Sequence, residues 1–115
     1  MTLYINVATD FTPLPFGRRR TKDNKSGEEF REDILYPKFC EALKNQDTLE
    51  VDFTGMRGLS GTFLEVAFAG LIREKGFDAD DVLRTIKFLP EDTFFDFYIE
   101  LVNEYIEKAK TETLK

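Results

Sequence analysis

The segment Leu49-Glu50-Val51-Asp52-Phe53-Thr54-Gly55-Met56-Arg57-Gly58-Leu59-Ser60-Gly61-Thr62-Phe63-Leu64-Glu65-Val66-Ala67-Phe68-Ala69-Gly70-Leu71-Ile72-Arg73-Glu74-Lys75-Gly76 decides how this chain folds. Its first six residues alternate apolar and polar, the period of a strand that buries one face. From Phe63 to Ile72 the only charged residue is Glu65. That stretch predicts a second helix over about Thr62 to Lys75, buried on most sides and central to its layer. Gly76 supplies the stop, and Arg73 and Lys75 suit the negative helix end. In the turn between strand and helix, Ser60 and Thr62 stand where free backbone N–H groups and the positive end of the helix dipole favour an anion.

Working outward, Leu3, Ile5 and Val7 alternate in the same way, as do Ile86 and Phe88. Each of these strands buries one face, whereas strands covered on both sides read as continuous apolar runs. The expected class is a two-layer α/β domain: a mixed β-sheet with helices packed on one face. Pro13, Pro15 and Gly17 make Thr9 to Lys25 a loop, with an irregular edge strand around Phe16 to Thr21. The first helix starts at Ser26, where Ser26 and Glu29 form a capping box ahead of Phe30, Ile34, Leu35, Phe39 and Leu43. Pro37 lies inside that run and predicts a kink or break near Leu35 to Pro37. A short helical turn is expected at Asp78 to Leu83. The third helix runs from about Pro90-Glu91-Asp92 to Lys110. Its apolar positions, Phe94 to Ile106, exceed one packing stripe, so it either sinks against the sheet or offers an aromatic patch for a dimer or partner.

A chain of 115 residues with 42% apolar content and twelve Phe suits one domain over residues 1–115 with a packed core and no metal or disulfide. Cys40 is the only cysteine and reads as an inert packed thiol. The start of the chain lacks the pattern of a signal peptide, and no stretch reaches the ~20 apolar residues that span a bilayer. A cytoplasmic protein without a membrane partner is expected. The net charge of -6 disfavours a grip on nucleic acid. The absence of His removes the commonest general base, so any catalysis would fall to carboxylates. Asp52, Glu65 and the two loop hydroxyls could hold Mg²⁺ if gathered together, but no ligand spacing supports it. Neither catalytic residues, metal nor cofactor is expected.

The turn Gly58-Leu59-Ser60-Gly61-Thr62 resembles the phosphoacceptor loop of STAS domains of the anti-sigma-factor-antagonist type. In that register Thr62 falls on the phosphoacceptor, Ser60 replaces the Asp and Phe63 replaces the following Gly. Three blocks in order, Phe16-Gly17-Arg18-Arg19-Arg20, Ser26-Gly27-Glu28-Glu29-Phe30-Arg31 and Phe63-Leu64-Glu65-Val66-Ala67-Phe68-Ala69-Gly70-Leu71, resemble the STAS-like family DUF4325. That resemblance implies a STAS-like fold in prokaryotic or phage proteins, sometimes beside histidine-kinase-type ATPase domains, and no established activity.

Two functional readings follow. The first is a noncatalytic interaction or signalling module that meets a protein partner, such as a histidine-kinase-type ATPase, through Gly58, Leu59, Ser60, Gly61, Thr62 and Glu65. Phosphorylation or anion binding at the start of the second helix would regulate it. Against that stands plain capping, because Thr62-Phe63-Leu64-Glu65 is itself a capping box. The second reading is a nucleotide or small-anion sensor that uses Arg18, Arg19, Arg20, Ser26 and Gly27, with a solvated basic loop as its plain counterpart. A homodimer through the third helix is compatible with either.

Overall fold

The structure is a computed structural model, and the residues it describes are 2–15, 26–91 and 93–113. Strands β1 (Thr2–Asn6), β2 (Thr48–Asp52) and β3 (Ile86–Leu89) form a parallel sheet in the order β1-β2-β3. The edge strand expected around Phe16 to Thr21 lies outside the described residues, so the described sheet is wholly parallel rather than mixed. In register, Ile5 faces Val51 and Val51 faces Phe88; Leu3 faces Leu49 and Leu49 faces Ile86. Ile5, Leu49, Val51 and Ile86 are buried, whereas Tyr4 and Lys87 on the alternate positions are exposed. The two-residue alternation therefore translates directly into one apolar face.

Helix α1 (Val7–Asp10) is a single turn after β1. Helix α2 spans 27–45 as Gly27–Phe30, a π-helical turn Arg31–Leu35, and Tyr36–Asn45. Helix α3 spans 61–73 in the same three-part form, with its π-helical turn at Glu65–Ala69. Helices α4 (Ala79–Thr85) and α5 (Thr93–Thr113) complete the chain. Of the kink or break expected near Leu35 to Pro37, no break occurs; the irregularity is a π-helical turn that ends at Leu35. The wider π turn immediately before Tyr36 removes the need for a Pro37 N–H and eases its ring past the preceding turn, so the helix continues. At the end of α3, Gly76 adopts φ +76° and donates its N–H to Ile72 O at 3.1 Å. This is the left-handed stop expected of that glycine.

Helix α3 is the centre of the layer. Phe63, Leu64, Ala67, Phe68, Ala69, Leu71 and Ile72 are buried, with α2 on one side and α5 on the other. Phe68 reaches rings of three neighbouring segments: Phe30 at 6.0 Å, Phe53 at 6.4 Å and Phe88 at 5.2 Å between centroids. Each such pair adds about 0.5–1.5 kcal/mol beyond burial. Helix α5 packs mainly on α3 and α4 through Val102, Ile106 and Ala109, not by sinking into the sheet. Phe97 on its outer side is 64% exposed.

A buried arginine fixes the α2–α3 crossing. Arg31 is 6% exposed; its Nε donates to Glu32 Oε2 at 2.8 Å and its Nη1 donates to Val66 O at 2.8 Å. Glu32 also receives Lys75 Nζ at 2.5 Å. Burial pushes the Glu32 carboxyl up, but hydrogen bonds from Lys75 and Arg31 outweigh it and hold the group below its ordinary value. Gly70 makes room for this arginine, since a Cβ there would stand 2.8 Å from Arg31 Cδ. Gly70→Ala is therefore expected to destabilise the fold by about 1–3 kcal/mol through overpacking. Gly76→Ala, with open space around it, should cost only the left-handed conformation, about 1–2 kcal/mol. Urea denaturation of the two variants measures both, and a neutral Gly70→Ala would contradict the packing described.

Candidate functional site

The loop between β2 and α3 is tied down at both ends. At the strand exit, Asp52 Oδ1 accepts from Thr54 N at 2.9 Å and Thr54 Oγ1 at 2.7 Å, while Asp52 Oδ2 accepts from Tyr4 Oη at 2.5 Å. Asn6 adds a bond from Nδ2 to Thr54 O at 3.2 Å. Burial raises the Asp52 carboxyl, but the donors Tyr4 and Thr54 prevail and keep it low. The same hydrogen bond to Asp52 raises the Tyr4 phenol.

Farther along, Arg57 N–H donates to Pro13 O at 2.7 Å and Gly58 N–H to the same oxygen at 3.3 Å. Gly58 is half-buried, with Leu14 Cδ1 only 2.9 Å from where a Cβ would stand. Leu59 is half-buried against the core. Gly61 faces Tyr105 of α5, whose hydroxyl would lie 2.7 Å from a Cβ. At both glycines the ends of neighbouring side chains approach the bare backbone closely.

Ser60 is exposed and is the N-cap of α3: its Oγ accepts from Phe63 N at 3.1 Å. This differs from the Thr62 capping box expected from sequence. The helix starts two residues earlier, at Gly61, so Thr62 lies within its first turn and is half-buried. Its hydroxyl makes no hydrogen bond among the described residues. Glu65 does not reach back to cap the helix; it pairs with Arg73 Nη1 at 3.2 Å, and Arg73 also bonds both carboxylate oxygens of Glu112. Sequence logic missed this register because Ser-x-x-Phe offers only half of a capping box, whereas Thr62 to Glu65 spells a complete one.

At the start of α2, Ser26 is fully buried and its Oγ accepts from Glu29 N at 3.1 Å, which is the cap expected. Gly27 is buried against α3, where a Cβ would stand 3.0 Å from Val66 Cβ and 3.1 Å from Phe63 O. The two capped helix starts thus lie side by side at one edge. Arg18, Arg19 and Arg20 lie outside the described residues. Asp52 and Glu65 are engaged separately, by Tyr4 with Thr54 and by Arg73. No cluster of three or more potential metal ligands occurs among the described residues, and no described helix is long and apolar enough to cross a membrane. Cys40 is half-buried. Arg31 was not singled out from sequence. Its spacing, four residues before Leu35 and eight before Phe39, puts it on the apolar stripe of α2, and that was the available signal.

A family model described as a STAS-like domain of unknown function (DUF4325) matches residues 26–92. The match covers more than half of the chain, and the chain belongs to that family. Neither a curated protein nor a solved structure matches it.

Ser60→Ala should cost about 1 kcal/mol in chemical denaturation through loss of the cap, and Thr62→Ala clearly less. Equal losses would mean that Thr62 shares the capping role. The Tyr4–Asp52 bond also carries a pH signature. Its contribution through Asp52 is present above the unfolded carboxylate value and is lost as pH falls through the lower folded value; through Tyr4 it is present below the unfolded phenol value and lost as pH rises through the higher folded one. Tyr4→Phe should move the Asp52 carboxyl upward in an NMR titration, and an unmoved titration would exclude the bond.

Proposed function

We propose that this member of the STAS-like DUF4325 family is a noncatalytic, cytoplasmic protein-interaction module of a signalling system. Its docking edge is formed by Gly58, Leu59, Ser60, Gly61 and Thr62, with Glu65 one turn beyond. The supporting observation is the combination of fixed backbone and outward chemistry: Pro13 O anchors Arg57 and Gly58, Tyr105 abuts Gly61, and Ser60 remains exposed. A loop already held in one shape loses little conformational entropy when a partner lands on it.

Thr62 is the residue at which such docking would be regulated. Its hydroxyl is not the helix cap, so modification there leaves the Ser60 cap in place while adding about -1.5 to -2 charges within the first turn of α3. The partner proposed is an ATPase of the histidine-kinase type, in line with the STAS resemblance and a prokaryotic or phage setting. The anion-sensor reading has less support, because Ser26 and Gly27 are buried in their own packing.

Affinity purification from the source cells with wild type, Thr62→Ser and Thr62→Asp tests this reading. The same partner should come down with wild type and Thr62→Ser, and recovery should fall about tenfold with Thr62→Asp, a difference of about 1.4 kcal/mol. Identical recovery with all three proteins would remove the proposed site.

A further inference from the structure

A cleft of about 550 Å³ opens beside β1, lined among others by Tyr4, Thr9, Asp10, Ile34, Pro37 and Lys38. Strand β1 stands at one end of the described sheet, and the cleft lies where it leads into α1, against the flank of α2. No residue of the Gly58 to Thr62 edge takes part. Tyr4 alternates with the buried Ile5, so its side chain stays on the outer face of the sheet and is 46% exposed. The bond from its hydroxyl to Asp52 fixes where the ring stands, and no second aromatic ring packs on it among the described residues. Ile34 and Pro37, three residues apart and therefore on one side of α2, supply a second apolar wall.

The polar groups of the lining include three with bonding capacity to spare. Lys38 is half-buried, and its Nζ makes no hydrogen bond or ion pair among the described residues; the Thr9 hydroxyl is likewise unbonded. Asp10 Oδ2 accepts from Asn6 N at 2.9 Å, which leaves Oδ1 as an acceptor. Asp33 also lines the cleft but is already engaged, so no contact is assigned to it. An anion gains at Lys38 and loses at Asp10, and a cation does the reverse. A zwitterion would meet both, but stripping water from two full charges against apolar walls is the costliest transfer. A neutral molecule with a hydrogen-bond donor and an acceptor gains at both groups without that loss. If it is flat it also uses the Tyr4 ring, since an aromatic side chain stacks on any planar base. The volume lies within the roughly 300–1,000 Å³ of small-molecule pockets.

We propose that this cleft binds a neutral planar heterocycle of the nucleobase class, with a hydrogen-bond donor and acceptor on one edge of its ring. The ring lies between Tyr4 and the wall of Ile34 and Pro37. Its carbonyl or ring nitrogen accepts from Lys38 Nζ, its N–H donates to Asp10 Oδ1, and the Thr9 hydroxyl completes the edge.

Thermal-shift and calorimetric titrations of the full chain with uracil, cytosine and adenine at millimolar concentration test the assignment, against sodium benzoate, benzylammonium chloride and phenylalanine at matched ionic strength. At least one base should raise Tm saturably, as a ligand specific for the folded state does, and none of the three charged controls should. Lys38→Met, which keeps the length of the side chain and removes the donor, should weaken binding about fivefold or more. Tyr4→Leu should weaken it about tenfold or more, whereas Tyr4→Phe, which keeps the ring, should stay within about twofold of wild type. If Tyr4→Leu does not fold by circular dichroism, Lys38→Met alone decides. No saturable response to any base, equal responses to a charged control, or unchanged affinity in Lys38→Met would each overturn the proposal. None of these outcomes bears on partner recovery through Thr62.

Discussion

The hydrogen bond from Arg31 to the carbonyl of Val66 is the constraint around which the helical layer is arranged. A guanidinium in a nearly dry position must have acceptors and an opposite charge, or its desolvation destabilises the fold. Glu32 supplies the charge from the adjacent position, and the widened turn of α3 supplies the carbonyl. Gly70 provides the space for the side chain to arrive. The π turn in α2 sits at the same crossing and also admits Pro37. Irregular helical turns of this kind persist where a specific contact requires them.

With α3 fixed in this way, the loop before it has few alternatives. Its entry is set by Asp52, Tyr4 and Thr54 at the ends of two parallel strands, and its exit by the Ser60 cap and the Tyr105 hydroxyl. Pro13 O adds a third anchor in between. Three segments distant in sequence, at Tyr4, Pro13 and Tyr105, thus meet one short turn. In open parallel sheets the carboxyl ends of the strands are where binding chemistry gathers, because loops there are free to vary on a rigid base.

Much of this was legible in the sequence, and the gaps have physical causes. Period-two alternation located all three strands, and the run from Phe63 to Ile72 revealed the buried central helix because a helix apolar on every side can only be surrounded. Capping chemistry placed the start of α2 but misplaced that of α3 by two residues, since a complete box at Thr62 and Glu65 competes on paper with a half box at Ser60. Tertiary contact favours the second: Glu65 is drawn to Arg73, and Gly61 lies against Tyr105. Pro37 announced a disturbance but not its form, because local sequence does not say whether a helix breaks or widens. The aromatic surplus of α5 was correctly seen as excessive for one stripe, yet its packing on α3 and α4 could not be inferred before the layer order was known.

Hydrogen–deuterium exchange resolved to single amides, on the isolated chain, tests the central claim that the loop between β2 and α3 is held in one shape by its own hydrogen bonds. The account predicts that the Arg57 amide, bonded to Pro13 O, and the Phe63 amide, bonded to Ser60 Oγ, exchange far more slowly than unbonded amides. Exchange of both at the rate of an unstructured peptide would show a loop without a fixed form in the isolated chain, and would contradict the account.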